Sequence, residues 1–340
     1  MNGTIEAPVR ETLVLTRAEV RDLLGMDASI AAVESAFRAH ALGATIPPGV
    51  LGTHVQHGGF HVKTAGLASP DHARSYFAVK TNGNFPGNPA RHGLPTIQGV
   101  VSLHDARDGT LLALLDSMEI TTLRTAAATA VAARHLARDD AHVATVLGCG
   151  IQGRSQLHAL SRVRDIGRAF AWDIRRDVAE RYAREMSSAL GVGVVATNDY
   201  RAAVAQSDVV VTCTPSCEPL LHAADVPTGC FVAGVGADSE GKHELAADLL
   251  ARATVVADVL DQCALIGDLQ HALAAGVMQR DDVHAELADV VIGRRSGRTS
   301  RDEITVFDST GTALEDVAAA VAVYERAIVE GRGVRLQLGN

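Results

Sequence analysis

Three charged side chains could act on a small organic acid, namely Lys80, Arg124 and Asp238. Lys80 ends the run YFAVK before the turn-rich segment TNGNFPGN, Arg124 lies at the start of the helix predicted for TTLRTAAATAVAARHLA, and Asp238 follows a predicted strand in GVGADSEGKHEL. Two cations can hold a carboxylate, and a carboxylate can contact a reacting nitrogen or move its proton. Surface positions for the two cations, and a cap on a helix near His243 for Asp238, are the structural alternatives.

A glycine-rich loop, GCGIQG at 148–153, lies between the apolar run HVATVL and the helical pattern RSQLHALSRV. A strand before such a loop and a helix after it are the context in which glycines bind a dinucleotide. Gly148 would permit the tight turn, Gly150 would let the backbone approach the pyrophosphate, and Gly153 would let the helix pack closely on the strand. The loop therefore predicts a dinucleotide site, with free helix-start N–H groups aimed at the phosphates.

An acidic residue, Asp173, ends the next predicted strand, RAFAWD, twenty residues after Gly153. A carboxylate there accepts hydrogen bonds from both ribose hydroxyls of NAD and repels the additional phosphate of NADP. Arg175 and Arg176 follow, and a guanidinium past the strand end could instead hold that phosphate. The sequence favours NAD and leaves NADP possible, with a solvated helix start as the structural explanation of the arginines.

The elements that would position these residues form two lobes. In the first, two helices over 16–42 precede short β-type runs, and VVSLHD and TLLALLD flank the hairpin signal ARDG, which predicts an α+β lobe with an antiparallel sheet. From residue 121 onward strands and helices alternate, which predicts an α/β lobe of the Rossmann type with a doubly wound parallel sheet. A long amphipathic helix over 312–330 could return to the first lobe.

The composition narrows the classes of partner. The 340 residues are 47% hydrophobic and 21% charged, as in an ordinary soluble protein with two lobes. A formal net charge of −9 disfavours nucleic acid, and no segment predicts a leader or a membrane span, so a cytoplasmic location is expected. His54, His57 and His61 lack the cysteine partners typical of zinc sites, so no metal is predicted.

Seven ordered segments resemble the ornithine cyclodeaminase/mu-crystallin family: TNGNFPGN, GLPTIQG, EITTLRTAAATA, VLGCGIQG, SDVVVTCTPSCEPLL, VGADSEGKHEL and ITVFDSTGTALEDVA. The resemblance covers residues 15–335. It implies a substrate-binding and dimerisation domain of residues 1–122 plus 309–340, whose antiparallel sheet pairs two subunits in a homodimer. It also implies a Rossmann NAD(P)-binding domain of residues 123–308 and a substrate pocket between the two domains.

The resemblance further implies roles for individual residues. Lys80 and Arg124 would grip the substrate carboxylate, and Lys80 is also a candidate for proton transfer. Asp238 would be catalytic at the amine or imine, and Thr96 would contact the substrate or the nicotinamide. In the cofactor site it implies Gly148, Gly150, Ile151 and Gln152 in the phosphate loop, Asp173 at the ribose, and Thr214 and Val235 beside the nicotinamide. Gly153 and Arg175 complete the predicted cofactor-binding set from the loop pattern and the position after the strand.

Two departures from the family pattern bear on the substrate. Gly49 in IPPGV stands where ornithine cyclodeaminases carry an arginine, and in GGFHVKTAGL His61 falls near their glutamate and Lys63 near their methionine. A lysine repels the distal ammonium of ornithine and suits a second or a compact carboxylate. Lys63 is therefore expected to bind substrate, unless it points to solvent.

The predicted function is that of an NAD(P)-dependent oxidoreductase acting at the α-carbon of an amino or imino acid, as an imine reductase or an amino-acid dehydrogenase. One alternative is an ornithine cyclodeaminase, an ammonia-lyase that converts ornithine to proline with recycled NAD. A further alternative, from a different class, is a non-catalytic protein that binds a small molecule.

Overall fold

The computed structural model of the protein describes residues 11–68 and 74–338. Its strands are β1 (Thr12–Leu15), β2 (Thr45–Val55), β3 (Gly58–Leu67), β4 (Tyr76–Asn84), β5 (Ile97–Asp105), β6 (Leu111–Asp116), β7 (Val143–Leu147), β8 (Arg168–Trp172), β9 (Gly193–Ala196), β10 (Val209–Thr212), β11 (Phe231–Gly234), β12 (Thr254–Ala257), β13 (Ala285–Glu286), β14 (Thr305–Asp308) and β15 (Val334–Leu336). Its helices are α1 (Arg17–Leu23), α2 (Met26–Ala41), α3 (Asn88–His92), α4 (Ser117–Leu136), α5 (Ile151–Ser161), α6 (Arg176–Leu190), α7 (Tyr200–Val204), α8 (Ala247–Arg252), α9 (Leu260–Ile266), α10 (Leu269–Ala274), α11 (Leu287–Val291) and α12 (Ala313–Glu330). Within these ranges no helix is long and apolar enough to cross a membrane.

The first sheet has seven strands in the order β15-β1-β6-β5-β4-β3-β2. From β2 to β6 each neighbouring pair is antiparallel, whereas β1 runs parallel to β6. Because side chains alternate between faces, one face collects apolar residues such as Ala65, Ala78 and Leu103, and α12 packs on it. The α+β lobe with its antiparallel sheet is confirmed, and the long helix does return to it.

Strand β4 is longer than the sequence predicts. The segment TNGN after Lys80 is not a turn but continues β4 to Asn84, with β3 bonded on one side and β5 on the other. Asparagine and glycine are depleted in strands, but a backbone that is paired on both sides overrides that weak preference. The extension puts the side chains of Lys80, Asn82 and Asn84 on one face, because they alternate along the strand.

The second sheet has eight strands in the order β13-β12-β14-β11-β10-β7-β8-β9, and all its pairs are parallel. All residues of β10 and β11 are buried, as expected for a sheet covered by helices on both faces. From β7 the chain proceeds to β8 on one side and later to β10 on the other. Such a switch point binds ligands beyond the carboxyl ends of its strands, and the Rossmann-type fold is confirmed.

Helix α4 connects the two sheets. It begins at Ser117, after Asp116, which accepts hydrogen bonds from the backbone N–H groups of Met118 and Glu119 at 3.0 and 3.3 Å. The predicted start at 121 missed this capped first turn, so Arg124 lies inside the helix rather than at its start. Since α4 packs against α2, α5 and α12, it contacts both lobes. The division at 122/123 and 308/309 stays a prediction, and its first boundary falls within this helix.

Candidate active site

The loop after β7 turns sharply at Gly148 and leads into α5. Gly148 has a φ of 103°, and a Cβ there would lie 2.7 Å from the carbonyl oxygen of Cys213. A Cβ on Gly153 would lie 2.1 Å from the carbonyl oxygen of Gly148. A Cβ on Gly150 would meet no described atom within 4 Å, so Gly150 leaves the start of α5 open. The packing of the protein thus requires two of the glycines, and the third gives a ligand access to the helix N-terminus.

Asp173 lies beside this loop at the end of β8. Its Oδ2 accepts a hydrogen bond from the backbone N–H of Cys149 and its Oδ1 one from that of Arg175, both at 3.0 Å. The adjoining cleft of about 420 Å³ is lined by Gly148, Gly150, Trp172, Asp173, Ile174, Arg175, Cys213, Thr214, Pro215, Ser216 and Leu220. An open helix start and a fixed carboxylate that retains free lone pairs fit the pyrophosphate and ribose of NAD.

The far wall of this cleft depends on Glu244, a buried residue that the sequence analysis did not single out. Its Oε1 accepts hydrogen bonds from the backbone N–H and the hydroxyl of Thr214 at 2.6 and 2.7 Å. Its Oε2 accepts from the Thr212 hydroxyl at 2.8 Å and from the Gly236 N–H at 2.7 Å. Glu244 therefore fixes the turns that follow β10 and β11. It lies in the segment KHEL, and an acidic residue among turn signals was the one feature of the sequence that could have pointed to its structural role.

A second cavity, of about 190 Å³, lies between the lobes next to the nucleotide cleft. It is lined by His61, Lys63, Lys80, Asn82, Asn84, Ile97, Thr121, Arg124, Thr125, Gln152, Val235, Asp238, Ser239, Ser309, Thr310 and Gly311. The fold thus brings together both predicted carboxylate-binding cations, Asp238 and Lys63. Among the described residues, no three histidine, cysteine or acidic side chains gather as metal ligands.

The register of the first sheet explains which side chains reach this cavity. Lys63 of β3 lies opposite Lys80 of β4, and His61 lies opposite Asn82, so all four share the inner face. Asn82 is fixed because its Oδ1 accepts a hydrogen bond of 2.6 Å from the Ser117 hydroxyl. Asn82 was not predicted from the sequence, although a strand period of two counted from Lys80 would place it on the same face.

Lys80 and Arg124 meet at two carboxylates of α12, Glu315 and Asp316. Lys80 Nζ donates to Asp316 Oδ1 at 2.8 Å, and Arg124 Nε donates to the same oxygen at 2.8 Å. Arg124 Nη1 donates to Glu315 Oε2 at 2.8 Å. Neither carboxylate was singled out from the sequence, because both follow Thr312 in a helix-start pattern. Thr312 is the N-cap of α12, and Glu315 completes the capping box by accepting a hydrogen bond from the backbone N–H of Thr312.

Burial and neighbouring charges together set the pKa values of this cluster. Burial lowers the pKa of Lys80 to about 7, helped by the neighbouring charge of Arg124 and opposed by Asp316. Burial also raises the pKa of Glu315 to about 7, against the charge of Arg124. For Asp316, burial is outweighed by the charges of Arg124 and Lys80, which lower its pKa. Lys80 is therefore poised to exchange a proton near neutral pH.

Lys63 faces the cavity rather than solvent. Its Nζ donates to the carbonyl oxygens of Thr310 and Gly311 at 3.2 and 2.7 Å. Burial and the charge of Arg124 lower the pKa of Lys63. Among the cations that line the cavity, Lys80 and Arg124 donate to carboxylates, whereas the hydrogen bonds described for Lys63 go to neutral carbonyls.

Asp238 lies at the opposite wall, in the loop after β11. Its side chain is 53% exposed and forms an ion pair with Lys242. Although partial desolvation opposes the shift, the charges of Lys242, Lys63 and Arg124 lower the pKa of Asp238, so it is ionised at neutral pH. No helix begins near His243, since α8 begins at Ala247, so the capping role considered for Asp238 is wrong.

Three predicted contact residues do not lie where their predicted roles would place them, or their placement does not test those roles. Gln152, assigned to the phosphate loop, lies in the first turn of α5 but lines the cavity between the lobes. Ile151 is 67% exposed at the start of α5. In the described structure Thr96 does not line the cavity, although its neighbour Ile97 does. The roles of Ile151 and Thr96 stay predictions.

Several polar atoms of the cavity wall are buried and lack a protein partner within the described ranges. They are Asn84 Oδ1, Thr121 Oγ1, Gln152 Oε1 and Ser309 Oγ. A buried polar group without a hydrogen bond is costly, so such atoms are free to bond a ligand. They come from both lobes, which indicates that a ligand completes the site from both sides.

Known proteins with this architecture match nearly the whole chain. The model of the ornithine cyclodeaminase/mu-crystallin family matches residues 10–331. Alanine dehydrogenase of Archaeoglobus fulgidus is 39% identical over 328 residues, which cover 96% of this chain and 98% of that protein. The solved structure of an archaeal alanine dehydrogenase dimer with bound NAD has a TM-score of 0.91 at 38% identity and covers 96% of this chain and 99% of its own.

A second solved structure is equally similar in fold. Delta(1)-pyrroline-2-carboxylate reductase of Thermococcus litoralis, in complex with NADH and L-proline, has a TM-score of 0.91 at 32% identity and covers 96% of this chain and 100% of its own. The resemblance carried by the seven sequence segments is confirmed. The chain belongs to the ornithine cyclodeaminase/mu-crystallin family.

Proposed function

We propose that the protein is an NAD(P)-dependent oxidoreductase that acts at the α-carbon of a small amino or imino acid. The observation that carries this proposal is the convergence of Lys80, Arg124 and Asp238 on one cavity beside the nucleotide cleft. Helix α5 joins the two sites, since it begins at the phosphate loop and its Gln152 lines the cavity. The relatives include an alanine dehydrogenase and an imino-acid reductase, which supports chemistry at this carbon.

The side chains divide the work of such a reaction. Lys80 and Arg124 donate hydrogen bonds to the carboxylate of the ligand, which fixes the position of its α-carbon. Asp238 accepts a hydrogen bond from the ligand nitrogen and, directly or through water, exchanges a proton with it. When bound, NAD(P) accepts or supplies the hydride. The buried walls contributed by β4, α4 and α12 exclude water from the charged groups.

We propose NAD rather than NADP as the cofactor. The fixed carboxylate of Asp173 suits a free ribose diol and repels a 2′-phosphate. Arg175 also lines the cleft, so NADP stays the alternative. The two solved relatives contain NAD and NADH, which supports the choice of NAD.

The substrate we propose is compact and carries no distal ammonium. The cavity measures about 190 Å³ and Lys63 lines it, so a second positive charge would meet a cation. This favours reduction of an imino acid, or dehydrogenation of its amino acid, over cyclisation of ornithine. We also assign Lys63 to the substrate-binding set.

The test is a spectrophotometric panel with the purified full chain. Cyclic and acyclic imino acids with NADH or NADPH, and amino acids with NAD, are expected to change absorbance at the reduced nicotinamide band for at least one compact substrate. Ornithine with NAD is assayed separately for proline and ammonia, whose formation without net NADH would identify the lyase instead. Tight NADH binding with no turnover of any compound would leave the non-catalytic binding protein.

We further propose a homodimer formed through the outer face of the first sheet. Leu51, Phe60 and Val100 share this face and are 64%, 44% and 40% exposed, which is unusual for large apolar side chains gathered on one surface. One of the solved relatives is described as a dimer. In sedimentation velocity, the wild type should have twice the mass of one chain and the double variant Leu51→Glu, Phe60→Glu the mass of one. A monomeric wild type would contradict the dimer.

A further inference from the structure

A buried carboxylate on α12, that of Asp316, touches both cations of the cavity. Its Oδ1 accepts hydrogen bonds from Lys80 Nζ and Arg124 Nε, each at 2.8 Å, and its Oδ2 lies 2.7 Å from Lys80 Nζ. The side chains of Asp316 and Lys80 are 3% and 4% exposed. Since Lys80 lies on β4 and Arg124 on α4, one carboxylate links three elements.

Asp316 lies behind the two cations rather than in front of them. Lys80 and Arg124 line the cavity, whereas Asp316 is absent from its described lining. Lysine has three N–H donors and arginine five, so donors of both remain available after they bond Asp316. Because burial raises the pKa of Glu315 to about 7, Asp316 is the ionised carboxylate of this cluster below pH 7, and the two cations then leave a net positive charge for a ligand to neutralise.

We propose that Asp316 is a positioning residue that orients Lys80 and Arg124 toward the carboxylate of the ligand and, through its ion pair, favours the charged form of Lys80. This inference rests on the proposed function only in taking a carboxylate as the ligand group. Breaking a buried charge pair by removing one partner has a large effect, because the remaining charge is left desolvated. The orientation and the charge of Lys80 should therefore change together when Asp316 loses its charge.

The charged groups near Lys80 set the direction of that change. Three of them are Lys63 from β3, Arg124 from α4 and Asp238 from the loop after β11. The other two are on α12, namely Asp316 and, on the far side of Arg124, Glu315. Burial, Arg124 and Lys63 all lower the pKa of Lys80, and Asp316 is the neighbour that raises it. Without the charge of Asp316 the pKa of Lys80 falls below its wild-type value of about 7. More of Lys80 is then neutral at pH 7, and acidification restores its charge.

The experiment compares Asp316→Asn, Asp316→Glu and the wild type as NADH complexes of the full chain. Oxamate, a compact planar carboxylate that neither gives nor accepts hydride, is titrated at pH 6 and pH 8 and its binding is followed by NADH fluorescence. For Asp316→Asn we expect NADH affinity within about twofold of the wild type and oxamate affinity about 10- to 100-fold weaker at pH 8, with a smaller loss at pH 6. Glu330→Gln, at an exposed ion pair of the same helix, is the control and should bind as the wild type does.

Each outcome decides a point. If Asp316→Asn binds oxamate as the wild type does at both pH values, the inference is overturned. If oxamate affinity falls equally at pH 6 and pH 8, Asp316 does not act through the charge of Lys80, and that part of the inference is overturned. If Asp316→Asn does not fold, Asp316→Glu decides, because a longer carboxylate displaces both cations and should weaken oxamate about fivefold or more. Asp316-dependent oxamate binding without turnover of any substrate would refute the proposed oxidoreductase and leave this inference standing.

Discussion

The nucleotide cleft takes its phosphate loop from one contiguous segment, whereas the substrate cavity takes its charged groups from β3, β4, α4 and the loop after β11, with carboxylates of α12 behind them. In the loop, glycines and backbone N–H groups define the shape, and Gly148 and Gly153 are required by close backbone contacts. In the cavity, side chains such as Lys80 and Arg124 converge on Asp316. The first kind of site depends on local backbone geometry, and the second on the register of a sheet and the placement of a distant helix. Each can therefore be damaged without the other.

The largest expected effect comes from Lys80→Met, which should damage the cavity alone. Loss of a charge-assisted contact to the ligand carboxylate, which positions the α-carbon, should lower kcat/KM roughly 1000-fold. NADH affinity, measured by fluorescence titration, should stay within about twofold, because Lys80 does not line the nucleotide cleft. Substantial turnover by this variant would remove Lys80 from the catalytic set.

The converse variant, Gly153→Ala, should damage the cleft. The added Cβ would meet the carbonyl oxygen of Gly148 at 2.1 Å, so the loop must move, and NADH affinity should fall about 100-fold. Gly150→Ala is the matched variant, since its Cβ meets no described atom within 4 Å. It should retain the wild-type melting temperature and weaken NADH binding only through contact with the cofactor. Equal melting temperatures and equal NADH affinities in the two variants would show that close packing at Gly153 is not what shapes the loop.

The cavity should also respond to pH above 7, because Lys80 lies in its wall. Lys80 must be charged to hold a carboxylate, and its pKa is about 7, so kcat/KM should fall about tenfold per pH unit above pH 7. In Lys80→Arg this alkaline limb, the fall in kcat/KM above pH 7, should disappear, because a guanidinium stays charged. Glu315, whose pKa is also about 7, provides the control: Glu315→Gln should retain the limb. A limb that disappears in Glu315→Gln would assign it to Glu315 instead.

The smallest expected effect is a change of substrate preference in Lys63→Met. Removing this charge should lower kcat/KM for a compact anionic substrate about tenfold and reduce the penalty against amino acids with a distal ammonium. Competition assays with the two substrate classes measure the ratio. Thr64→Val, on the opposite face of β3, is the control and should keep the wild-type preference.

The sequence allowed the cleft to be predicted more completely than the cavity. GCGIQG and Asp173 could be interpreted from their place between strands and helices, since strand, loop and helix are contiguous. Lys80, Arg124 and Asp238 could be proposed as a set, with the family resemblance supplying their roles. Their partner Asp316 could not, because it lies 236 residues from Lys80 along the chain. Only the packing of α12 on the first sheet brings the two together.

The register of the first sheet also could not be predicted from the sequence. A turn after Lys80 was predicted from the asparagines and glycine of TNGN, and this hid Asn82 and Asn84 among apparent loop residues. Once β4 is known to continue, alternation alone places them in the cavity wall. The buried Glu244 was missed for a related reason, since its carboxylate accepts hydrogen bonds from the end of β10 and from the turns after β10 and β11, which a linear pattern does not bring together.

Helix α4 fixes the distance and the rotation between the two binding sites. Arg124 and Leu136 are separated by about 18 Å at the usual helical rise, and α4 packs against α5, the helix that begins at the phosphate loop. One inserted residue would turn Arg124 by about 100° around the axis and carry it away from Asp316. Chimaeras that exchange substrate lobes between relatives should therefore keep this helix whole, from Ser117 to Leu136.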